Sequence, residues 1–531
     1  MDYRRARSSG YWKIYRVIFS SLLFLFIPQQ IFANPTVKNV ILLIGDGMGP
    51  QQYALAMAYA RLAPNAYTRE LNLEKFMSQG ELGLMTTHPN NALVVDSAAS
   101  ATQLATGYYS GSEMIGLDYK GNPQKTILER ARDAGKSTGL VSDTRITHAT
   151  PAAFAAHQPH RSMEDNIAAD LINSHVDVML SAGLRAFLPQ GVEDRESKVY
   201  ARLRQQIPEH IKLNSKRMDN RNVLNEAEDK GYHLVFDRES MWAAPENKKL
   251  LGLFDSKKMP NGIREHQTEH QKSRKHPTLK EMTIKALDHL SKNKKGFFLM
   301  VESGQIDWAG HTSDAGTMLH QLLQFDKTIG YVMEWAEKKG DTLVVLTADH
   351  ETGSFGFSYS NFDVPKAKRL EGSAFKDVTF RPKYNFGAPK IIDMLYRQKK
   401  SYTEMMSEFA ALPEEQETAE SLMNIVNGSS EFKISLAEAE AILKPVSDGF
   451  YVNDFKEFYV YFNNHRQNRL GIILSRHQNV VWGTGTHTDT PVPVIALGPE
   501  AITRQFNGIH HSTEIAIMMK KALGLTVPRP H

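Results

Sequence analysis

The sequence of 531 residues contains no cysteine. This absence excludes a disulfide framework, a thiolate nucleophile and any metal site built on cysteine ligands. The sequence also shows neither an internal repeat nor a low-complexity tract, which argues against a repeat array and against long-range disorder. With 41% apolar and 23% charged residues, a chain of this length can form a large buried core.

The N-terminal segment has no apolar run long enough to span a bilayer. Its apolar stretch at residues 17–27 covers only about 16 Å as a helix. Five basic side chains precede this stretch, and Ala33 provides a small residue at its end. This arrangement predicts a secretory signal peptide at residues 1–33, with a buried helix or a retained anchor as alternatives. We therefore expect a periplasmic or secreted protein without stable membrane association after cleavage.

The chain beyond this segment has no net charge of either sign. Residues 1–33 hold five of the 63 basic and one of the 59 acidic side chains, which leaves 58 of each in residues 34–531. A formally neutral chain shows no electrostatic signature of nucleic acid or membrane binding. We expect no nucleic acid partner.

Short continuous apolar runs alternate with helical patterns along residues 34–531. The capping-box pairs Thr126/Glu129 and Thr278/Glu281 mark two helix starts. Continuous apolar runs are typical of parallel strands covered on both faces. The predicted fold is an α/β, doubly wound, mostly parallel sheet flanked by helices on both faces. Its predicted strands are residues 40–44, 138–142, 176–180, 297–301, 343–347 and 492–497.

Two stretches interrupt this alternation inside one predicted catalytic domain, residues 34–531. Residues 190–277 are charged and weakly periodic, which indicates a surface insertion. Within it, residues 257–276 are almost wholly polar, and their irregularly spaced histidines indicate a solvated surface rather than a metal site. Residues 355–482, with a capping box at Ser435, indicate a subdomain inserted between two core strands.

Polar residues collect where the predicted strands end. Asp46 lies between two glycines after the first strand, and Ser97 precedes a helix of small residues. A helix N-terminus favours a phosphate group and the alkoxide form of a serine, although a plain turn and an ordinary N-cap also explain these two positions. The other residues at strand ends are Thr150, Arg161, Glu302, Asp307, His311, Asp349, His350 and His487.

The residue types at these strand ends point to metal-assisted phosphoryl transfer. Oxygen and imidazole ligands without thiolate suit zinc together with magnesium. Two zinc ions about 4 Å apart can stabilise both the attacking and the leaving oxygen of an in-line displacement. A serine nucleophile next to such an ion needs no histidine base.

Three motifs carry a resemblance to a known family. Residues 44–49 read Ile-Gly-Asp-Gly-Met-Gly, residues 96–102 read Asp-Ser-Ala-Ala-Ser-Ala-Thr, and residues 347–350 read Thr-Ala-Asp-His. With the later Gly-Thr-Gly-Thr-His at 483–487, the sequence resembles the alkaline phosphatases over nearly all of residues 34–531. The resemblance implies hydrolysis of phosphate monoesters at alkaline pH, a homodimer, and a crown-like interface subdomain at about residues 355–482.

The resemblance also implies roles for individual residues. Ser97 would carry the phosphoryl group, and Arg161 would bind its non-bridging oxygens through two parallel hydrogen bonds. Two zinc ions and one magnesium ion per subunit are implied. Their ligands would be Asp307, His311 and His487 for the first zinc, Asp46, Asp349 and His350 for the second, and Asp46, Thr150 and Glu302 for the magnesium.

Two positions differ from the enterobacterial members. His148 stands where those members have an acid near the magnesium, and Trp308 stands where they have a lysine near the phosphate. We expect His148 beside the third metal site, where zinc could compete with magnesium, and Trp308 beside the bound phosphate.

Two alternative functions remain open from the residues. A phosphodiesterase or sulfatase of the same superfamily would keep the metals, but such enzymes carry Thr, or a Cys/Ser-x-Pro-x-Arg motif, where this chain has Ser97 followed by Ala-Ala-Ser. A non-catalytic phosphate or zinc scavenger would have lost its nucleophile or a ligand, whereas all ten positions are present.

Overall fold

The computed structural model describes residues 36–445 and 458–527, with Phe462 described by its backbone alone. The predicted signal peptide at residues 1–33 lies outside the described residues. Within the described ranges, none of the helices combines the length and the apolarity that a bilayer crossing requires.

The core of the described chain is a ten-stranded sheet in the order β14-β2-β13-β8-β1-β7-β3-β4-β6-β5. Neighbouring strands run parallel, except that β13 is antiparallel to both β8 and β2. All six predicted strands are present, and the mostly parallel α/β fold is confirmed. The strands are β1 (Asn39–Gly45), β2 (Glu81–Thr86), β3 (Ser137–Arg145), β4 (Val178–Ala182), β5 (Tyr232–Val235), β6 (Lys249–Leu253), β7 (Phe297–Ser303), β8 (Thr342–Thr347), β9 (Glu351–Thr352), β10 (Gly356–Phe357), β11 (Val480–Val481), β12 (His487–Thr488), β13 (Val492–Leu497) and β14 (Gly508–His511).

Helices cover the sheet on both faces, since every residue of β1, β7 and β8 is buried. The predicted capping boxes form at Thr126, Thr278 and Ser435. The helices are α1 (Pro50–Leu62), α2 (Asn72–Gln79), α3 (Ser97–Thr106), α4 (Ile127–Asp133), α5 (Ala149–Ala152), α6 (Glu164–Asn173), α7 (Lys198–Gln206), α8 (Val223–Asp229), α9 (Arg238–Ala243), α10 (Gly262–Thr268), α11 (Leu279–Leu290), α12 (Gln305–His311), α13 (Ala315–Lys339), α14 (Lys390–Tyr396), α15 (Tyr402–Phe409), α16 (Ala419–Ser429), α17 (Leu436–Leu443), α18 (His465–Gln478), α19 (Glu500–Thr503) and α20 (Ser512–Ala522).

Residues 190–277 contribute more to the core than the sequence indicates. They supply β5 and β6, which extend one edge of the main sheet. In the polar stretch 257–276, the side chains of Met259, Asn261 and Ile263 are buried. The prediction of a solvated surface is wrong for these three residues. A buried asparagine is accommodated because its side-chain oxygen caps α10.

Candidate active site

Four adjacent strands bring the candidate site residues to one edge of the sheet. β8, β1, β7 and β3 lie side by side and run parallel, so their carboxyl ends share that edge. Because β13 runs antiparallel to β8, the segment before β13 reaches the same edge from the other direction. His487, which belongs to that segment, therefore joins residues that follow the parallel strands.

The first cluster consists of Asp307, His311 and His487. Asp307 and His311 lie one turn apart on α12, and Nε2 of His311 is 3.2 Å from Oδ2 of Asp307. Nε2 of His487 is 3.5 Å from Oδ1 of Asp307 and 3.1 Å from Nε2 of His311. Three potential ligand atoms thus converge on one point, as a metal site requires.

Two further clusters share Asp46. In the second, Nε2 of His350 lies 3.5 Å from Oδ1 of Asp46 and 3.1 Å from Oδ2 of Asp349. The third combines Asp46 and Glu302 with His148, whose Nδ1 is 3.9 Å from Oε1 of Glu302. The hydroxyl of Thr150 also reaches this cluster, 3.4 Å from Oδ2 of Asp46.

The chemistry of these clusters fits bound cations. Four of their buried atoms have no hydrogen-bond partner in the described structure: Oδ1 of Asp46, Oδ2 of Asp349, Oε1 of Glu302 and Nδ1 of His148. Burial and the carboxylates of Asp349, Asp307 and Glu302 raise the pKa of Asp46 well above its usual range. Buried anions this close together are unfavourable unless positive charge neutralises them. The three clusters are therefore candidate metal sites.

Neighbouring groups orient the ligands. Nδ1 of His311 donates to the carbonyl of Gly485 at 2.7 Å, and Nδ1 of His487 donates to the carbonyl of Val95 at 2.9 Å. Since a carbonyl can only accept, both rings carry their proton on Nδ1 and turn the Nε2 lone pair towards Asp307. The hydroxyl of Thr352 donates to Asp307 at 2.5 Å. Hydrogen bonds of this kind, made with groups outside the cluster, hold the ligand side chains in the orientation that metal binding requires.

Ser97 is the first residue of α3 and is buried next to the second cluster. Its hydroxyl lies 3.2 Å from Nε2 of His350. Asp96 is the N-cap of α3, and its carboxylate accepts hydrogen bonds from the amides of Ala98 and Ala99. The positive end of the α3 dipole is thus directed at Ser97, as the sequence predicts.

The guanidinium of Arg161 lies beside Ser97 in an open cleft of about 480 Å³. It donates to Oδ2 of Asp96 at 2.9 Å and lies 3.4 Å from Nε2 of His148. Burial raises the pKa of Asp96, but Arg161 and backbone hydrogen bonds outweigh it and hold this pKa below its usual value. Trp308 packs edge-to-face on His148, with ring centroids 5.7 Å apart.

The structure brings all ten predicted site residues, together with His148 and Trp308, to this one edge. The sequence patterns do not assign a site role to Asp96, Thr352, Lys258 or Tyr461, although Lys258 and Tyr461 line the cleft. Asp96 and Thr352 stand in or next to motifs that were recognised. Lys258 and Tyr461 lie in segments far from any motif, and no local signal indicates their position.

The chain matches known proteins over most of its length. The family model described as alkaline phosphatase matches residues 37–441. Alkaline phosphatase 3 of Bacillus subtilis (strain 168) is 32% identical over 501 residues, which cover 92% of this chain and 89% of that protein. Alkaline phosphatase of Escherichia coli (strain K12) is 32% identical over 361 residues, covering 61% of this chain and 72% of that protein.

A solved structure shows the same fold. The crystal structure of Thermus thermophilus alkaline phosphatase superposes with a TM-score of 0.74 at 26% identity, and the match covers 94% of this chain and 93% of that one. The family match and the full-length relative agree with the metal-ligand clusters at the sheet edge. The chain therefore belongs to the alkaline phosphatase family and is an enzyme that hydrolyses phosphate monoesters.

Proposed function

We propose that this phosphatase transfers the phosphoryl group of a monoester first to Ser97 and then to water, with two zinc ions and one magnesium ion bound per subunit. The observation that carries the proposal is the position of the Ser97 hydroxyl. It lies at the N-terminus of α3, 3.2 Å from His350, in the cleft that also contains Arg161.

The proposed ligands follow the three clusters. Asp307, His311 and His487 would hold one zinc, and Asp46, Asp349 and His350 would hold the other. Asp46 and Glu302 would hold the magnesium together with the hydroxyl of Thr150, with His148 beside them. When bound, such ions stabilise negative charge on the reacting oxygens and lower the pKa of an oxygen that they coordinate.

The chain's own residues position the substrate and supply the nucleophile. Arg161, oriented by Asp96, donates hydrogen bonds to the non-bridging phosphate oxygens. Oxygen Oγ of Ser97 loses its proton and bonds to phosphorus, the ester bond breaks, and the leaving oxygen takes up a proton to become the alcohol. Water then attacks the phosphoserine, which restores the Ser97 hydroxyl and releases inorganic phosphate. The α3 dipole favours the anionic form of Ser97 in both steps.

A comparison of substrates and samples tests this proposal. An aryl phosphate monoester, its diester and the aryl sulfate are offered at alkaline pH to metal-loaded wild type, chelator-treated wild type and Ser97→Ala. We expect strong preference for the monoester and loss of the rate on chelation and in Ser97→Ala. A preferred diester or sulfate would contradict the monoester mechanism, and no turnover by the loaded wild type would favour the scavenger alternative.

Trapping the intermediate separates a serine nucleophile from direct attack by water. Acid quenching of wild type during turnover, followed by peptide mass spectrometry, should place a phosphoryl group on the peptide containing Ser97. The exposed Ser112 provides the control, since Ser112→Ala should keep the modification. An unmodified Ser97 peptide during steady turnover contradicts the covalent route.

The proposal also includes export of the protein and its assembly as a homodimer. The basic and apolar pattern of residues 1–33 supports cleavage after Ala33 and release into the periplasm or the medium. Membership of the family supports a homodimer, with residues 34–531 as one catalytic domain and about 355–482 as its crown-like insertion. N-terminal sequencing and light scattering of the protein from the medium or periplasm test both points. A retained N-terminus or a monomer would contradict them.

A further inference from the structure

The cleft contains a second cation besides Arg161. Lys258 lines the cleft, and its Nζ lies 5.2 Å from the ring centroid of Trp308. This distance is typical of a cation–π contact. Trp308 also packs on His148, which in turn contacts Arg161. Trp308 and His148 thus form a chain of contacts between Lys258 and Arg161, and both cations line the same cleft.

The ammonium group of Lys258 lacks an acidic partner. It forms no hydrogen bond or ion pair with any residue in the described part of the chain, although its side chain is half-buried. Three acids act on it electrostatically. Each of them already has a partner: Glu404 binds Arg264, Asp143 binds Gly304, and Asp255 binds His276. A half-buried cation without a counter-ion favours the binding of an anion.

The backbone that carries Lys258 is held in place. The side-chain amide of Gln305 donates to the carbonyls of Met259 and Pro260, at 3.1 and 3.2 Å. Asn261 caps α10 and donates to Glu404 at 3.0 Å. Gln305 is the first residue of α12, which also carries Trp308. The backbone at Lys258 therefore has a defined position relative to the cleft, and a segment that is already ordered loses less conformational freedom when a ligand binds.

We propose that Lys258 binds a second anionic group, located on the leaving part of the substrate. The phosphatase then favours monoesters whose leaving group carries a carboxylate or a second phosphate over esters with a neutral leaving group. This inference rests on the proposed function, in which Arg161 and the metal clusters take the transferred phosphoryl group. Lys258 acts in substrate selection and not in the chemical step.

Matched substrates test the inference. The first pair is 4-carboxyphenyl phosphate and 4-carbamoylphenyl phosphate, which have nearly the same shape and differ by one charge. The second pair is propane-1,3-diol bisphosphate and 3-hydroxypropyl phosphate, which distinguishes a second phosphate from a carboxylate. For each pair, kcat/KM is measured with the ester whose leaving group is charged and with the ester whose leaving group is neutral. The ratio of the two values is compared between metal-loaded wild type, Lys258→Met and Lys258→Arg.

We expect Lys258→Met to lower at least one ratio about fivefold, as the loss of one partly solvated ion pair does. Comparing variants cancels the intrinsic reactivity of each leaving group. Lys258→Arg should keep most of the preference, and the control Lys257→Met, which removes an exposed neighbouring lysine, should keep the wild-type ratio.

The inference is overturned if the kcat/KM ratios of Lys258→Met equal those of wild type. An equal fall in kcat/KM for the esters with neutral and with charged leaving groups gives this result too. If the proposed function itself is wrong, the result is different, because wild type would then not hydrolyse even the esters with a neutral leaving group.

Discussion

Asp96 receives a 2.9 Å hydrogen bond from the guanidinium of Arg161. The same carboxylate caps α3, the helix that begins with Ser97. One side chain therefore sets both the orientation of the phosphate-binding cation and the start of the helix that presents the proposed nucleophile. Because Asp96 has both roles, substitutions can separate its effect on substrate binding through Arg161 from its effect on stability through the helix cap.

Asp96→Asn should impair substrate binding more than stability. Asparagine still caps a helix, but it loses the charge that holds Arg161, and we expect KM for an aryl phosphate to rise about fivefold. Asp96→Ala should raise KM similarly and also lower the free energy of unfolding by about 1 kcal/mol, because the cap is lost. Steady-state kinetics and chemical unfolding check this. A fall in stability without a change in KM would contradict the assignment.

Asp46→Asn should have opposite effects on the stripped and the loaded protein. Without metals, the change removes one of four neighbouring buried carboxylates, so the melting temperature of the stripped protein should rise. With zinc and magnesium, it removes a shared ligand, and the melting temperature should fall by an amount on the order of several °C. Calorimetry of both forms checks this, with chelator-treated wild type as reference. A shift of the same sign in both forms argues against the shared metal ligand.

His148→Asp should change the metal content of the third cluster. The free Nδ1 of His148 faces Glu302, and imidazole suits zinc, whereas a third carboxylate suits magnesium. After equilibration with both ions, we expect more zinc per subunit in wild type and more magnesium in His148→Asp. Elemental analysis measures this. Equal magnesium content in the two proteins would show that His148 does not influence the site.

Lys520 should make stability depend on pH in the alkaline range. The side chain is fully buried, and burial lowers its pKa from the usual 10.5 to about 7. Below pH 7 the folded protein holds a buried charge, whereas between about pH 7 and 10.5 only the unfolded chain binds this proton. The contribution of Lys520 to the free energy of unfolding therefore rises with pH between about pH 7 and 10.5, by a few kcal/mol at most.

Lys520→Met should remove this dependence. The amino group of Lys520 donates to the carbonyl of Thr106 at the end of α3, which it can do with or without its extra proton, so the loss of this bond lowers the stability of Lys520→Met throughout the pH range. The melting temperature of Lys520→Met relative to wild type should thus be highest near pH 7 and decline towards pH 10. The exposed neighbour provides the control, Lys521→Met. A constant difference over this range would contradict the low pKa.

Many elements of the fold were predictable because their signals are local. The six central strands are continuous apolar runs, and the capping boxes at Thr126 and Thr278 mark helix starts within four residues. The apolar runs do not predict β2, which lies next to the edge strand β14, or the edge strand β5, because both strands are short and partly exposed, with polar residues among the apolar ones. Asp307 and His311 were predicted as a pair because one helical turn separates them.

Sequence patterns alone established the central strands, the helix caps, and the placement of Asp, Glu and His at the strand ends, since each depends on residues a few positions apart. Tertiary packing alone placed His487 against the Val95 carbonyl, 392 residues away, and His148 beside Glu302. It also brought Lys258 to the cleft through hydrogen bonds from Gln305. Strand order and loop docking depend on contacts between distant segments, and those contacts leave no periodic trace in the local sequence.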